Sequence, residues 1–424
     1  MRPLLLAASL LPLILSPARA DNAPASSRAV SGKALTIHER AITVDAHLDI
    51  RDDFASSGAL TGKDTGDQFD LPKLERGKLD VAVVALYSDP AKITTANVAA
   101  ARAQVDAKLA ALRSFVNGNP ERVEFARSAA DIERIAREGR HAILLSFLNT
   151  LPLGEDLSLI EKYRDAGVRV FGFTHAQNTP FADSSRPNRA YGDVPDQHGG
   201  LTPLGRKAVG ELNRLGVLID VSQLTSAGVK QTVELSRAPV IASHTGLRSR
   251  VDVPRNLGDE ELRLIASKGG VVHIVAFASY LTQSPERAAE YHNKVWAPFG
   301  LESGVDDPRT SLSTTDYARF QAAYRQYSSN AWRFASVADY VDSVEAAIQV
   351  VGVDHVGLSS DFNHGGGVRG YANVGEAANV TAELLRRGHS EQDIDKLWGG
   401  NFVRVLKQAE EVGRKQAMAA WTGP

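Results

Sequence analysis

Short apolar runs rich in β-branched residues recur along the chain, separated by longer stretches whose apolar positions fall at i, i+3, i+4 and i+7. The runs are AITVDAH (41–47), DVAVVALY (80–87), HAILLSF (141–147), VRVFGFTH (168–175), GVLIDVS (216–222), PVIASH (239–244), GGVVHIVAF (269–277) and DHVGLSSDF (354–362). Runs this continuously apolar suit strands buried on both faces. Between them, TTANVAAARAQVDAKLAALRSFV, LSLIEKYRDAG, TPLGRKAVGELNRLG and DEELRLIASKG have helical spacing, and several end in glycine, a common helix stop. This alternation predicts an α/β protein of the (β/α)8 TIM-barrel type. The alternative is an open doubly wound sheet, but no glycine-rich phosphate loop follows the first run, which counts against it.

One interval breaks the rhythm. Residues 278–353 separate the last two runs, an insertion long enough for a lid or an oligomer contact. Helical spacing in TTDYARFQAAYRQY favours a lid with its own helices, and a homodimer stays open. Near the end, SEQDIDKLWGGNFVRVLKQAEEV reads as two short helices with GGN as the turn between them. The barrel is then expected over 36–412, with a tail at 413–424 and a flexible, small and polar lead-in at 21–35.

Residues 1–20 read as a signal peptide: Arg2 is followed by apolar Leu4–Leu15, and SPARA carries the small residues Ala18 and Ala20 before the cleavage point. The apolar run is short for a membrane span, which needs about 20 residues. The expected destination is the periplasm or the exterior, with no membrane anchor after cleavage. The sequence has no cysteine, so core burial rather than disulfides must hold the exported fold. Its 48 basic and 50 acidic residues are interspersed, which leaves no footprint for nucleic acid or an anionic membrane.

Chemistry in such a barrel collects at the C-terminal strand ends. Those ends carry His47 and Asp49 after the first run, His175 after the fourth, His244 at the sixth and Asp361 at the eighth. Singly, each has an ordinary explanation as a helix cap, a packed histidine or an Asx turn. Together they converge on one mouth. His and Asp two positions apart on a strand face the same side and can share a divalent ion, and a carboxylate such as Asp361 can take a proton from attacking water. Arg255 precedes a helix, where a cation near the mouth could hold a carboxylate. His273 reads as packed in the wall, and HGGG (364–367) as a loop rather than a phosphate cradle.

The blocks VDAHLDI, PLGEDLSLIEKYRDAGVRVFGFTHAQNTPFADSS, HGGLTPLGRKAVGELNRLGVLIDVSQLTSAGV, SRAPVIASHTGLRS, RNLGDEELRLIASKGGVV, VDHVGLSSDFNHGGG and LWGGNFVRVL resemble, in order, the membrane (renal-type) dipeptidases, peptidase family M19 of the amidohydrolase barrels. The resemblance covers about residues 37–410. It implies a zinc (β/α)8 barrel that cleaves dipeptides. By the same resemblance His47 and Asp49 match ligands of a first metal and His244 a ligand of a second. His175 matches the histidine near the scissile carbonyl, Arg255 the binder of the substrate carboxylate, and Asp361 the acid that handles the catalytic proton.

Three positions depart from that pattern. Where the family has a bridging glutamate stands Leu148; where it has a histidine after the fifth strand stands Gln223; and the second acid of its DFDG stretch is Asn363. Paired divalent ions about 3.5 to 4 Å apart need bridging anions against their repulsion, and leucine offers neither charge nor lone pair. One zinc ion at most is therefore expected, or none. Two functions follow: a dipeptidase-like hydrolase acting on dipeptides or related amide or lactam bonds, or a non-hydrolytic homologue that binds a peptide, for example as a maturation factor for a peptidic natural product.

Overall fold

The computed structural model describes residues 30–303, 308–328 and 330–420. The leader at 1–20 lies outside the described residues, as does most of the 21–35 segment. Ser31 caps a helix over Gly32–Arg40 by accepting from the Ala34 N–H, so regular structure begins before position 36.

Nine parallel strands follow: β1 (Val44–Asp49), β2 (Val81–Tyr87), β3 (Val123–Ala126), β4 (His141–Leu148), β5 (Val168–Gly172), β6 (Leu218–Asp220), β7 (Ile241–Thr245), β8 (Val271–Val275) and β9 (Val356–Ser359). Eight are barrel staves in the order β1-β2-β4-β5-β6-β7-β8-β9, one for each apolar run of the sequence. The ring closes where the Asp361 N–H donates to His47 O and the Asp49 N–H to Phe362 O, both at 3.0 Å. β3 is an addition. It pairs with β4 from Val123↔His141 to Ala126↔Leu144, below the point where β5 takes over that edge at Leu145↔Val168.

Alternation sorts each stave into two layers. On β2, Ala82, Val84 and Leu86 join the large cluster beneath the helices, Val81 and Val83 join an inner cluster, and Ala85 and Tyr87 pack with Leu148. On β1 the alternation slips: three steps from Asp45 to Leu48 run against two from Ala82 to Val84. This bulge resets the phase, so His47 and Asp49 face the interior above a floor that already contains Val44 and Ala46. The floor is sealed by the last helix, whose Phe402, Val405, Leu406 and Ala409 pack against Val44, Val81, Leu218 and Ile241.

That C-terminal segment differs from the two-helix expectation. Helix Glu391–Asp395, a π-helical turn at Lys396–Gly400 and helix Asn401–Ala420 run on without a break, past position 413. The glycines serve close approach rather than a turn, since a Cβ on Gly399 would stand 2.1 Å from Ile42 O.

The 278–353 segment is helical in most of its described part. A short helix at Pro285–Tyr291 and a longer one at Thr314–Ser328 are held by Val295, Trp296, Leu301, Phe320 and Tyr327, whereas the short helix at Ala278–Leu281 packs into the large barrel cluster through its two end residues. Its last helix, Val337–Val351, belongs to the barrel: the Tyr340 hydroxyl donates to Ile274 O and Ser359 O. No helix among the described residues is long and apolar enough to cross a membrane.

Asp80, just before β2, accepts from the Thr43 N–H and Oγ1–H, and burial pushes its carboxyl up to about 6. A carboxyl whose pKa is raised on folding weakens the fold as pH climbs from the unfolded value near 3.8 through 6, and has no such effect below about pH 4. Asp80→Asn keeps an acceptor for Thr43 without the charge. It is expected to stabilise the protein by about 2 kcal/mol at pH 8 and negligibly at pH 4, read from urea midpoints at the two pH values.

Candidate metal centre

The barrel mouth gathers residues from five strand ends. His47 Nε2 lies 3.5 Å from Asp49 Oδ2 and 3.8 Å from Asp361 Oδ1, both longer than a good hydrogen bond. Both Asp49 oxygens are buried without a hydrogen-bond partner among the described residues. His364 Nδ1 approaches Asp49 Oδ2 at 3.5 Å from the other side. His47, His244 and Asp361 each bring a ligand atom within 4.8 Å of the others. A buried carboxylate with no donor, ringed by imidazoles and a second carboxylate just out of hydrogen-bond range, is a donor set that fits one divalent ion.

The backbone is bent to make this set. Asp361 and Asn363 both adopt left-handed conformations, at φ 59° and 63°, unusual for residues other than glycine. Asn363 holds the bend: its side chain donates to Asp49 O and accepts from the Gln68 N–H, while its own N–H donates to Gln68 Oε1.

Gln223 controls His244. An arginine can only donate, so Arg186 Nη2, 3.0 Å from Gln223 Oε1, fixes which way that amide faces. The amide N–H then points to His244 Nε2 at 2.9 Å, and this nitrogen must accept. The His244 proton therefore sits on Nδ1 and goes to Ser243 Oγ at 2.7 Å, whose own proton goes to Asp220 Oδ2 at 2.5 Å. His244 can turn its Nε2 lone pair to an ion only when the Gln223 amide withdraws.

Arg186 Nη2 also donates to His175 Nε2 at 3.2 Å, which places the His175 proton on Nδ1, buried and without a partner among the described residues. The ring packs edge-on to Tyr87 with centroids 4.7 Å apart. Arg255 is buried, donating to Ser222 O and His244 O at 2.8 and 2.6 Å, and its Nε–H has no partner among the described residues. Its guanidinium lies 5.5 Å from the Tyr280 ring, at the root of the insertion.

Burial and charge set the protonation states. Burial works against charge on His47, but Asp49 and, more weakly, Asp361 and Asp220 outweigh it and raise the ring's pKa. Burial would raise Asp49, yet His364 and His47 pull it well below the carboxylate range. Asp361 stays raised, chiefly by burial. Burial, with Arg186 and His364 nearby, keeps His175 far below an ordinary histidine, and burial with His47 and Arg255 does the same for His244.

Leu148 is buried against Tyr87 and Ala85. A Cβ on Gly172 would lie 3.0 Å from Leu148 Cδ1 and 3.6 Å from Asp220 Oδ2, so the leucine and this aspartate flank one glycine. Asp220 is already engaged by Ser222 and Ser243.

The structure thus brings His47, Asp49, His244 and Asp361 to one spot, with His175 and Arg255 at its edge. His273, by contrast, is packed in the wall with Nδ1 3.0 Å from Ala242 O. Arg186 went unread in the sequence and His364 was read only as the start of a loop, because both sit in segments without period. The available signal was position, since Arg186 follows β5 in the loop that carries His175, and His364 lies three residues after Asp361.

A family model described as membrane dipeptidase, peptidase family M19, matches residues 31–420. A dipeptidase of Claviceps purpurea, tcpJ, is 27% identical over 363 residues, covering 84% of this chain and 72% of that one. The crystal structure of the probable dipeptidase PvdM from Pseudomonas aeruginosa is 40% identical and superposes with a TM-score of 0.82, covering 91% of this chain and all of the other. A liganded metallopeptidase of Rhodobacter sphaeroides shares the fold at 21% identity, with a TM-score of 0.66 over 87% of this chain and 99% of that one. The chain belongs to the membrane dipeptidase family, peptidase family M19.

Proposed function

We propose that this protein is an exported dipeptidase-like hydrolase that works with a single zinc ion. The observation that carries the reading is Asp49, whose two buried oxygens lack hydrogen-bond donors and face His47 across a gap that a cation fits. His47 and Asp49 would hold the ion with Asp361, and with His244 once Gln223 gives way. Bound there, the ion supplies Lewis acidity toward a carbonyl oxygen and toward water.

The chain's own residues do the rest. The buried Nδ1–H of neutral His175 donates to the carbonyl oxygen of the scissile bond. The Asp361 carboxylate accepts a proton from the attacking water and passes it to the leaving amine. Arg255 holds the terminal carboxylate through its free Nε–H. Helices beyond Tyr280 act as the lid. Metal content after zinc equilibration, together with turnover of simple dipeptides, tests the reading. Absence of both zinc and turnover would reject it.

Arg255 carries a sharper expectation. A charge-assisted bond contributes about 1.5 to 3 kcal/mol, so Arg255→Lys should lower kcat/KM for a free dipeptide about 30-fold and for its C-terminal amide less than about threefold. Equal losses on both substrates would remove the carboxylate role.

A second reading is favoured by one contact. The Gln223 N–H takes up the His244 Nε2 lone pair, as suits a homologue that binds a peptide without cleaving it. Peptide binding that survives chelation, with no turnover at saturating zinc, would select this reading.

A further inference from the structure

Arg186 draws together the ends of three staves. Its Nη2 bonds His175 beyond β5 and Gln223 beyond β6, and Gln223 passes the contact on to His244 in β7. The Nε2 lone pairs of both histidines are taken up by N–H donors, and that of His244 is one a further ion would need. No ion pair joins Arg186 to a carboxylate among the described residues, and its Nε–H is buried without a partner. The flanking wall is Leu148, and Asp220 beside it is occupied by serines.

Charge points the same way. Even with Asp220 counted beside Asp49 and Asp361, three carboxyls face two guanidinium groups, Arg186 and Arg255, so one divalent ion already leaves the mouth positive. Another would stand against Arg186 with no anion between them.

We propose that Arg186 is the resident second cation of this mouth, excluding a further divalent ion, and that its buried Nε–H binds an anionic oxygen of the ligand. This rests on the single-ion reading above. A buried guanidinium donor without an acceptor is costly unless a ligand supplies one. A carboxylate or tetrahedral oxyanion is the chemistry that satisfies it.

The test uses the mature full chain with zinc as the probe, counted by metal analysis after equilibrium dialysis. Four proteins are compared: wild type, Leu148→Glu/Gln223→His, and that double variant with either Arg186→Ala or Arg186→Lys. The expected counts are one, one, two and one, with cooperative melting in each. A double or lysine-bearing variant that already holds two ions, or a folded alanine variant that gains none over the double, overturns the proposal. A wild type that holds no zinc strikes the single-ion reading instead. The gain of an ion in the alanine variant over the lysine variant still decides the role of Arg186. Independently, Arg186→Ala alone should weaken a phosphinate dipeptide isostere at least about 10-fold and its neutral ketomethylene counterpart less than about threefold. Equal losses count against the proposal, and this comparison stands if the multiple variants do not fold.

Discussion

Asp49→Ala is expected to lower zinc affinity by at least about 100-fold and to abolish the thermal stabilisation that zinc gives the wild type. Removing partners that merely orient metal ligands costs about 10- to 100-fold, and a ligand should cost no less. Here the aspartate supplies two buried oxygens with no competing donor, while His244 is engaged by Gln223 and Asp361 holds its proton more readily than an ordinary carboxylate. Asp49 is therefore the ligand with the least to give up on binding. At zinc concentrations near 100 times Kd the wild type should gain about 2.7 kcal/mol, or about 3 °C in melting temperature for a chain of this size. The variant should gain none. Stripped of metal, the variant should melt below stripped wild type, because His47 and His364, each 3.5 Å away, hold the Asp49 charge favourably, so the zinc-dependent gain is read against each protein's own metal-free melting temperature. A variant that keeps wild-type zinc affinity would move the ion elsewhere in the mouth.

The parts of this site that could be read in the sequence were those fixed by strand parity. His47 and Asp49 share a face because they are two apart, and strand ends in a barrel converge. Leu148 was placed at the mouth by the family resemblance, and its side chain lies there against Tyr87. The slip in β1 was not legible, since an inserted residue leaves the apolar pattern of VDAHLDI unchanged and shows only in the pairing with β2. β3 escaped for a related reason: it has four residues with only its two ends buried, and so no continuous apolar run. The paired glycines at 399 and 400 looked like a turn because glycine ends helices more often than it lets one pass a neighbouring backbone. The protonation of His244 depends on three other side chains, from Arg186 through Gln223 to Ser243, and no spacing rule encodes such a chain.

Gly357→Ala is expected to destabilise the fold by about 3 kcal/mol, and most of that loss should disappear when His273 is shortened. β8 and β9 pair in register at His273↔Gly357, and the imidazole lies over the glycine. A Cβ there would stand 2.3 Å from Cδ2 and 2.7 Å from Nε2. The ring cannot swing clear, because Nδ1 is tied to Ala242 O and the far side abuts Phe402, with ring centroids 5.8 Å apart. Overpacking of this kind costs about 1 to 3 kcal/mol, and a rigid partner places it at the upper end. His273→Ala alone should cost about 2 to 3 kcal/mol for the cavity it opens. In the double variant the new methyl enters that cavity, so the combined loss should fall short of the sum by about 2 kcal/mol in a urea-unfolding cycle. Strict additivity would mean that the strand pair opens to admit the methyl, and that His273 is not what holds position 357 to glycine.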